Sequence, residues 1–119
     1  MKIPDSIRIN GVDYKIVYTP ALNDGINVAY GRINYENSTI ELNPERQAHQ
    51  RMCATLWHEI LHGIAFTMGL DDTMGDDEEK IVDAFARGIY QVLQDNGRKF
   101  FDIKEPTAEE TEEKKKNEA

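Results

Sequence analysis

The segment His58-Glu59-Ile60-Leu61-His62 constrains this chain more than any other. Two histidines four residues apart lie on one face of a helix, one turn from each other. Two imidazoles so arranged reach a single metal ion at about 2.0–2.1 Å each. Glu59, next to the first of them, comes close enough to a water on that ion to act as its general base. The surroundings predict the helix. From about residue 45 to 68, Met52, Leu56, Ile60 and Ile64 repeat at i, i+4, and Cys53, Trp57, Leu61, Ala65 and Met68 widen the stripe. It is nearly all-round from Leu56 to Phe66, which predicts a central, buried helix. A carboxylate beside Trp57 and Ile60 is costly in such a place unless a charge compensates it. A metal site therefore explains the motif better than two core histidines do. Gly69 is the expected stop.

A catalytic zinc takes three protein ligands and keeps a fourth position open. The remaining histidine, His49, precedes His58 by nine residues, more than two helical turns, too far to share the ion. A second helix is expected from about 76 to 96, ending at Gly97, with Ile81, Phe85, Ile89 and Val92 as its apolar stripe. Asp76, Asp77, Glu78 and Glu79 fall in its first turn, where the helix dipole favours negative charge. Glu78 and Glu79 are the candidates for the third ligand. Asp83 lies four residues after Glu79 on the same face, where it can accept a hydrogen bond from a ligand histidine, whereas Val82 holds that position for Glu78. Glu79 is therefore the expected ligand, with Asp83 behind it.

Ahead of the helices the chain reads as strands. Ile7-Arg8-Ile9 runs into Asn10-Gly11, a type I′ turn signal. Val12 to Tyr18 alternates, with Tyr14, Ile16 and Tyr18 on one face. Residues 19–25 form a loop, 29–35 a strand, and Glu36-Asn37-Ser38 turns into Thr39-Ile40-Glu41-Leu42, which Pro44 ends. After Ile103 the chain is Glu, Lys, Thr and Asn with no apolar residue but Ala, so 1–103 is the expected domain and 104–119 a disordered charged tail. The expected fold is α+β: a small twisted sheet of three or four strands packed on an active-site helix and a second long helix, with strand pairing and oligomeric state not readable.

At 119 residues and a net charge of −8, the chain suits one small domain and lacks the basic face that duplex nucleic acid requires. The single cysteine, Cys53, permits no intrachain disulfide, and no apolar run approaches a membrane span. A cytoplasmic protein that binds neither nucleic acid nor membrane is expected.

His58-Glu59-x-x-His62 followed by Glu79-x-x-x-Asp83 resembles the gluzincin metallopeptidases. In its compactness it resembles the minimal gluzincins and the ImmA/IrrE-type metallopeptidase domains common in phages and mobile elements. In the latter the third ligand lies in a pattern like Glu-x-x-Ala-Asn-x-Phe-Ala, and here Glu79-x-x-Val82-Asp83-x-Phe85-Ala86 is similar, with Val for Ala and Asp for Asn. Ile40-Glu41-Leu42-Asn43 resembles the strand that precedes the active-site helix. Leu61 stands where those domains often have glycine. The resemblance implies a zincin-like fold and one Zn2+ per chain on His58, His62 and Glu79. It also implies peptide hydrolysis, as an endopeptidase, by a zinc-bound water that Glu59 activates. If the protein is phage-encoded, it would act in the host cytoplasm. Strand 39–42 would be an edge that holds an extended peptide or protein substrate by main-chain hydrogen bonds. His49, Tyr35 and Tyr90 are the candidates for stabilising the oxyanion. The alternative is a catalytically silent, zinc-stabilised protein-binding module on the same fold.

Overall fold

The computed structural model describes residues 1–23, 25–101 and 108–118. Strands β1 (Ser6–Ile9) and β2 (Val12–Tyr18) form the expected hairpin, closed by the pair Ile9 and Val12. Asn10 and Gly11 both take positive φ, 47° and 85°, as a type I′ turn demands. Alternation along β2 buries Tyr14 and Ile16 and leaves Tyr18 exposed. Strands β3 (Gly31–Asn34) and β4 (Thr39–Leu42) form a second hairpin. Its turn is braced by Asn34, whose side-chain oxygen accepts from the backbone N–H of Glu36 at 3.0 Å and of Asn37 at 3.3 Å.

The sheet order is β1-β2-β4-β3, with β2 and β4 parallel and the other neighbours antiparallel. The second hairpin thus inserts β4 into the sheet and leaves β3 outside. Strand 39–42, expected as an edge, is instead paired on both sides, and the free edge beside the helices is β3. Side chains give the reason. Ile40 and Leu42 are wholly buried and need cover on both flanks, whereas β3 carries Arg32, a charge that suits an exposed edge.

Helix α1 (His49–Thr67) lies across the sheet, and α3 (Glu78–Phe101) packs chiefly on α1 rather than on the sheet. Leu56 and Ile60 of α1 join Ile9, Tyr14, Ile16, Ile40 and Leu42 in the core. Helix α1 is thus covered on two sides, by the sheet and by α3, though Ile64 and Phe66 of its apolar stretch stay exposed. It stops in a Schellman motif: Gly69 at φ 71° donates to the Phe66 carbonyl at 3.2 Å and Leu70 to that of Ala65 at 2.8 Å. The acidic link that follows holds a short helix α2 (Asp71–Met74) and a 3-10 turn at Gly75–Asp77. Helix α3 runs past Gly97, the expected stop. A glycine inside a helix costs only about 1 kcal/mol, and Arg98 and Lys99 favour the helix's negative end. Val82 and Ala86 form its face toward α1.

Part of the expected tail carries regular structure. Residues 108–118 form a helix α4 (Ala108–Glu118), for which the spacing of Glu112 and Lys116 supplies an i, i+4 pair. The expected boundary at 103/104, and residues 104–107, lie outside the described residues. Among the described residues no helix is long and apolar enough to cross a membrane.

Two features seat β3 against α1. Buried Asn43 donates its backbone N–H to the Tyr30 carbonyl at 2.9 Å and its side-chain N–H to that of Ala29 at 3.2 Å. Gln47 donates to the Tyr30 carbonyl at 2.8 Å and accepts from the Thr55 hydroxyl at 2.8 Å, which ties the strand's start to the helix. Gly31 then lets the backbones meet: a Cβ there would lie 2.6 Å from Thr55 Cγ2 and 3.2 Å from the Glu41 carbonyl oxygen. Gly31→Ala is expected to lose about 1–3 kcal/mol in urea unfolding through overpacking. Combining it with Thr55→Ser, which removes the nearest methyl and keeps the hydroxyl, is expected to restore most of that loss. No rescue would mean that Thr55 is not what the added methyl strikes.

Candidate metal centre

Helix α1 brings His58 and His62 to the same side, with their Nε2 atoms 3.1 Å apart and their rings at 64°. Two nitrogens bound tetrahedrally at zinc distances would be separated by roughly 3.3–3.4 Å, so the pair is already close to a chelating arrangement. From α3, Glu79 reaches both: Oε1 lies 2.7 Å from His62 Nε2 and Oε2 3.3 Å from His58 Nε2. The carboxylate thus sits on the two nitrogens that would face an ion. Its side chain is 75% exposed, against 11% for His62 and 21% for His58, so the group is closed from below and open toward solvent.

Behind the imidazoles lie two more carboxylates. Glu78 Oε2 accepts from His62 Nδ1 at 2.6 Å, which orients that ring with Nε2 toward His58 Nε2 and Glu79. Asp83 Oδ1 lies 3.5 Å from His58 Nδ1, but Asp83 also pairs with Arg87 at 3.1 Å. Asp83 is therefore beside the histidine it was expected to support, with a looser hold than Glu78 has on His62. Sequence reasoning treated Glu78 only as a rival ligand and missed this contact. The signal was present: 78, 82 and 86 share one helical face, and Val82 and Ala86 are the residues buried against α1.

Glu59 is the other half of the centre. His58, Glu59 and His62 each offer a ligand atom within 4.8 Å of the others, a group that could hold a metal ion. Glu59 is 7% exposed, and its Oε2 is buried with no hydrogen-bond partner. Burial pushes its carboxyl up from 4.5 to about 7, against the pull of His62 and with a further push from Glu79. An orphaned carboxylate oxygen beside two converging imidazoles is what a missing cation and its water would explain. The donor set, two imidazole nitrogens and a carboxylate, suits zinc.

Of the residues considered for the oxyanion, His49 is turned to the Met1 carbonyl at 2.8 Å and lies 3.5 Å from Cys53 Sγ. Burial, and to a lesser degree Cys53, push the Tyr90 phenol up. Tyr35, just past β3, stacks on Phe66 at 4.1 Å. Burial and the nearby Glu59 and Glu78 push its phenol up to about 12, so it keeps its proton and remains a donor at neutral pH. The centre opens into a cleft of about 690 Å3 between residues 28–31 and α3, with Arg51 and Thr55 of α1 in its wall. The chain matches no family model, no curated protein and no solved structure in these comparisons.

Because the folded-state value of Glu59 is raised, ionisation of this carboxyl destabilises the metal-free fold. The associated stability is fully present below pH 4.5 and is lost as pH rises toward about 7. In EDTA, the stability of Glu59→Gln minus that of the unaltered chain is expected to rise by about 3 kcal/mol between pH 4.5 and pH 8. Denaturant titrations at several pH values would read it. A difference that stays flat would mean that ionised Glu59 is solvated or paired.

Proposed function

We propose that this chain is a zinc-dependent peptidase of the zincin kind, as the gluzincin resemblance implies, with one ion held by His58, His62 and Glu79. The observation that carries this reading is the convergence of both Nε2 atoms and the Glu79 carboxylate beside the buried, unpartnered Oε2 of Glu59. When bound, zinc would supply a Lewis acid that polarises a carbonyl and brings the pKa of a water near neutrality. Glu59 would take the proton from that water and hand it to the departing amine. Glu78 holds the His62 ring in place throughout.

An extended peptide would add to the unpaired edge of β3, Gly31–Asn34, by β-strand addition, and Gly31 lines the same cleft as His58. A cytoplasmic site of action agrees with the one cysteine, free and buried. The competing reading, a silent metal-stabilised binding module, would let the ion offset the Glu59 charge but gives this carboxylate no chemical role, since a structural zinc needs no base.

Metal analysis of the purified chain, reconstituted with zinc, tests the site. One equivalent is expected, lost in Glu79→Ala and bound about 10–100-fold more weakly in Glu78→Ala. Glu59→Gln is expected to keep its zinc and to lose at least about a hundredfold in peptide cleavage. A wild-type chain that takes up no zinc would sink the metal reading. Zinc uptake without cleavage of a diverse peptide library would leave the binding module.

A further inference from the structure

Strand β3 and helix α1 run side by side in the same direction. Arg51 lies over the Tyr30 ring at 4.0 Å, Gly31 faces Thr55 and Glu59, Ile33 faces Gly63, and Tyr35 stacks on Phe66. A peptide joining the free edge of β3 antiparallel, the slightly more stable pairing, runs from the Tyr35 end toward the Tyr30 end. Its C-terminal half therefore heads for Arg51. The seven residues from Arg51 to His58 rise about 10 Å along α1, and an extended chain covers about 3.3 Å per residue. The guanidinium thus meets the substrate about three residues past the reacting carbonyl.

The charge there is uncommitted. Arg87, the other arginine of the cleft, is held by Asp83 at 3.1 Å. Among the described residues no carboxylate pairs with Arg51, whose stacking on Tyr30 leaves its planar fork of N–H donors for an anion. Resting on the peptidase reading, we propose that Arg51 selects peptides bearing a carboxylate about three residues to the C-terminal side of the scissile bond. That carboxylate is either an acidic side chain or the chain's own terminus. The net charge of −8 opposes acidic ligands at long range, so such a preference has to come from this local contact.

The test uses binding, which does not depend on turnover. Zinc-loaded Glu59→Gln protein is titrated into fluorescein-labelled, C-terminally amidated alanine heptapeptides carrying Glu, Gln or Lys near the C-terminus. An all-alanine peptide is compared with free and with amidated C-terminus. The Glu peptide, the free acid, or both are expected to bind about fivefold more tightly than their neutral twins, and which of them gains names the source of the carboxylate. Adding Arg51→Gln should equalise the pairs, and adding Arg51→Glu should turn the preference to Lys, with zinc content unchanged in both. Mere bracing of Tyr30 by Arg51 would not invert a charge preference. Equal binding of charged and neutral twins, no binding of any peptide, or a preference that survives Arg51→Gln would overturn the proposal. Cleavage by the Glu59 chain without any such preference would leave the peptidase reading intact and remove this one. An Arg51-dependent preference in a chain that cleaves nothing would do the reverse.

Discussion

Everything in this fold depends on how α1 is buried. Its apolar residues hold the sheet, through Leu56 and Ile60 against Ile40 and Leu42. Yet the same turns carry Glu59 and His62, both at most 9% exposed. A carboxylate in that position costs far more than an exposed one, and the surrounding structure meets the cost only in part. Glu78 partners His62, Glu79 partners both imidazoles, and one oxygen of Glu59 is left without a donor. The most tightly packed helix of the molecule is therefore also its most electrostatically unfinished one.

The imbalance has a sign. Glu59, Glu78, Glu79 and Asp83 gather around two imidazoles, and among the described residues the one arginine paired with any of them is Arg87, on Asp83. A divalent ion between the Nε2 atoms would offset this excess of negative charge at the point where it is most concentrated. It would also join α1 to α3 at the open end of their contact, where Glu79 is otherwise largely solvated. In a domain this small, with a single modest core, such a link adds to stability as well as to chemistry.

The strand arrangement matters as much to the proposed activity as the motif does. By placing β4 inside, the sheet keeps Ile40 and Leu42 dry and presents β3 as one of its two edges, the one with more contact to α1. Gly31, Asn43, Gln47 and Thr55 then fix β3 close to α1, so Gly31 at the start of the edge, His58 and Arg51 line one cleft. An edge displaced by the width of a side chain at Gly31 would carry a peptide's main chain away from the imidazoles.

Much of this was legible along the chain. Asn10-Gly11 specified its hairpin because type I′ geometry needs positive φ at both positions, and Gly69 specified the end of α1 for a like reason. The i, i+4 spacing of His58 and His62 determined that their rings share a face, since helical geometry leaves no other choice. These are local constraints, set by bonds and torsions within a few residues. Others could not be read that way. The inward place of β4, the role of Glu78 behind His62, and the continuation of α3 past Gly97 depend on neighbours remote in sequence. The tail helix at 108–118 is the reverse case, where helix propensity and charge spacing outweigh a composition that suggested disorder. Sequence alone determined that His58, Glu59 and His62 come together on one helix, because periodicity is a local property. Only the tertiary structure decided that β4 lies inside with β3 at the edge, and which carboxylate stands behind which imidazole, because those follow from how whole elements share a limited apolar surface.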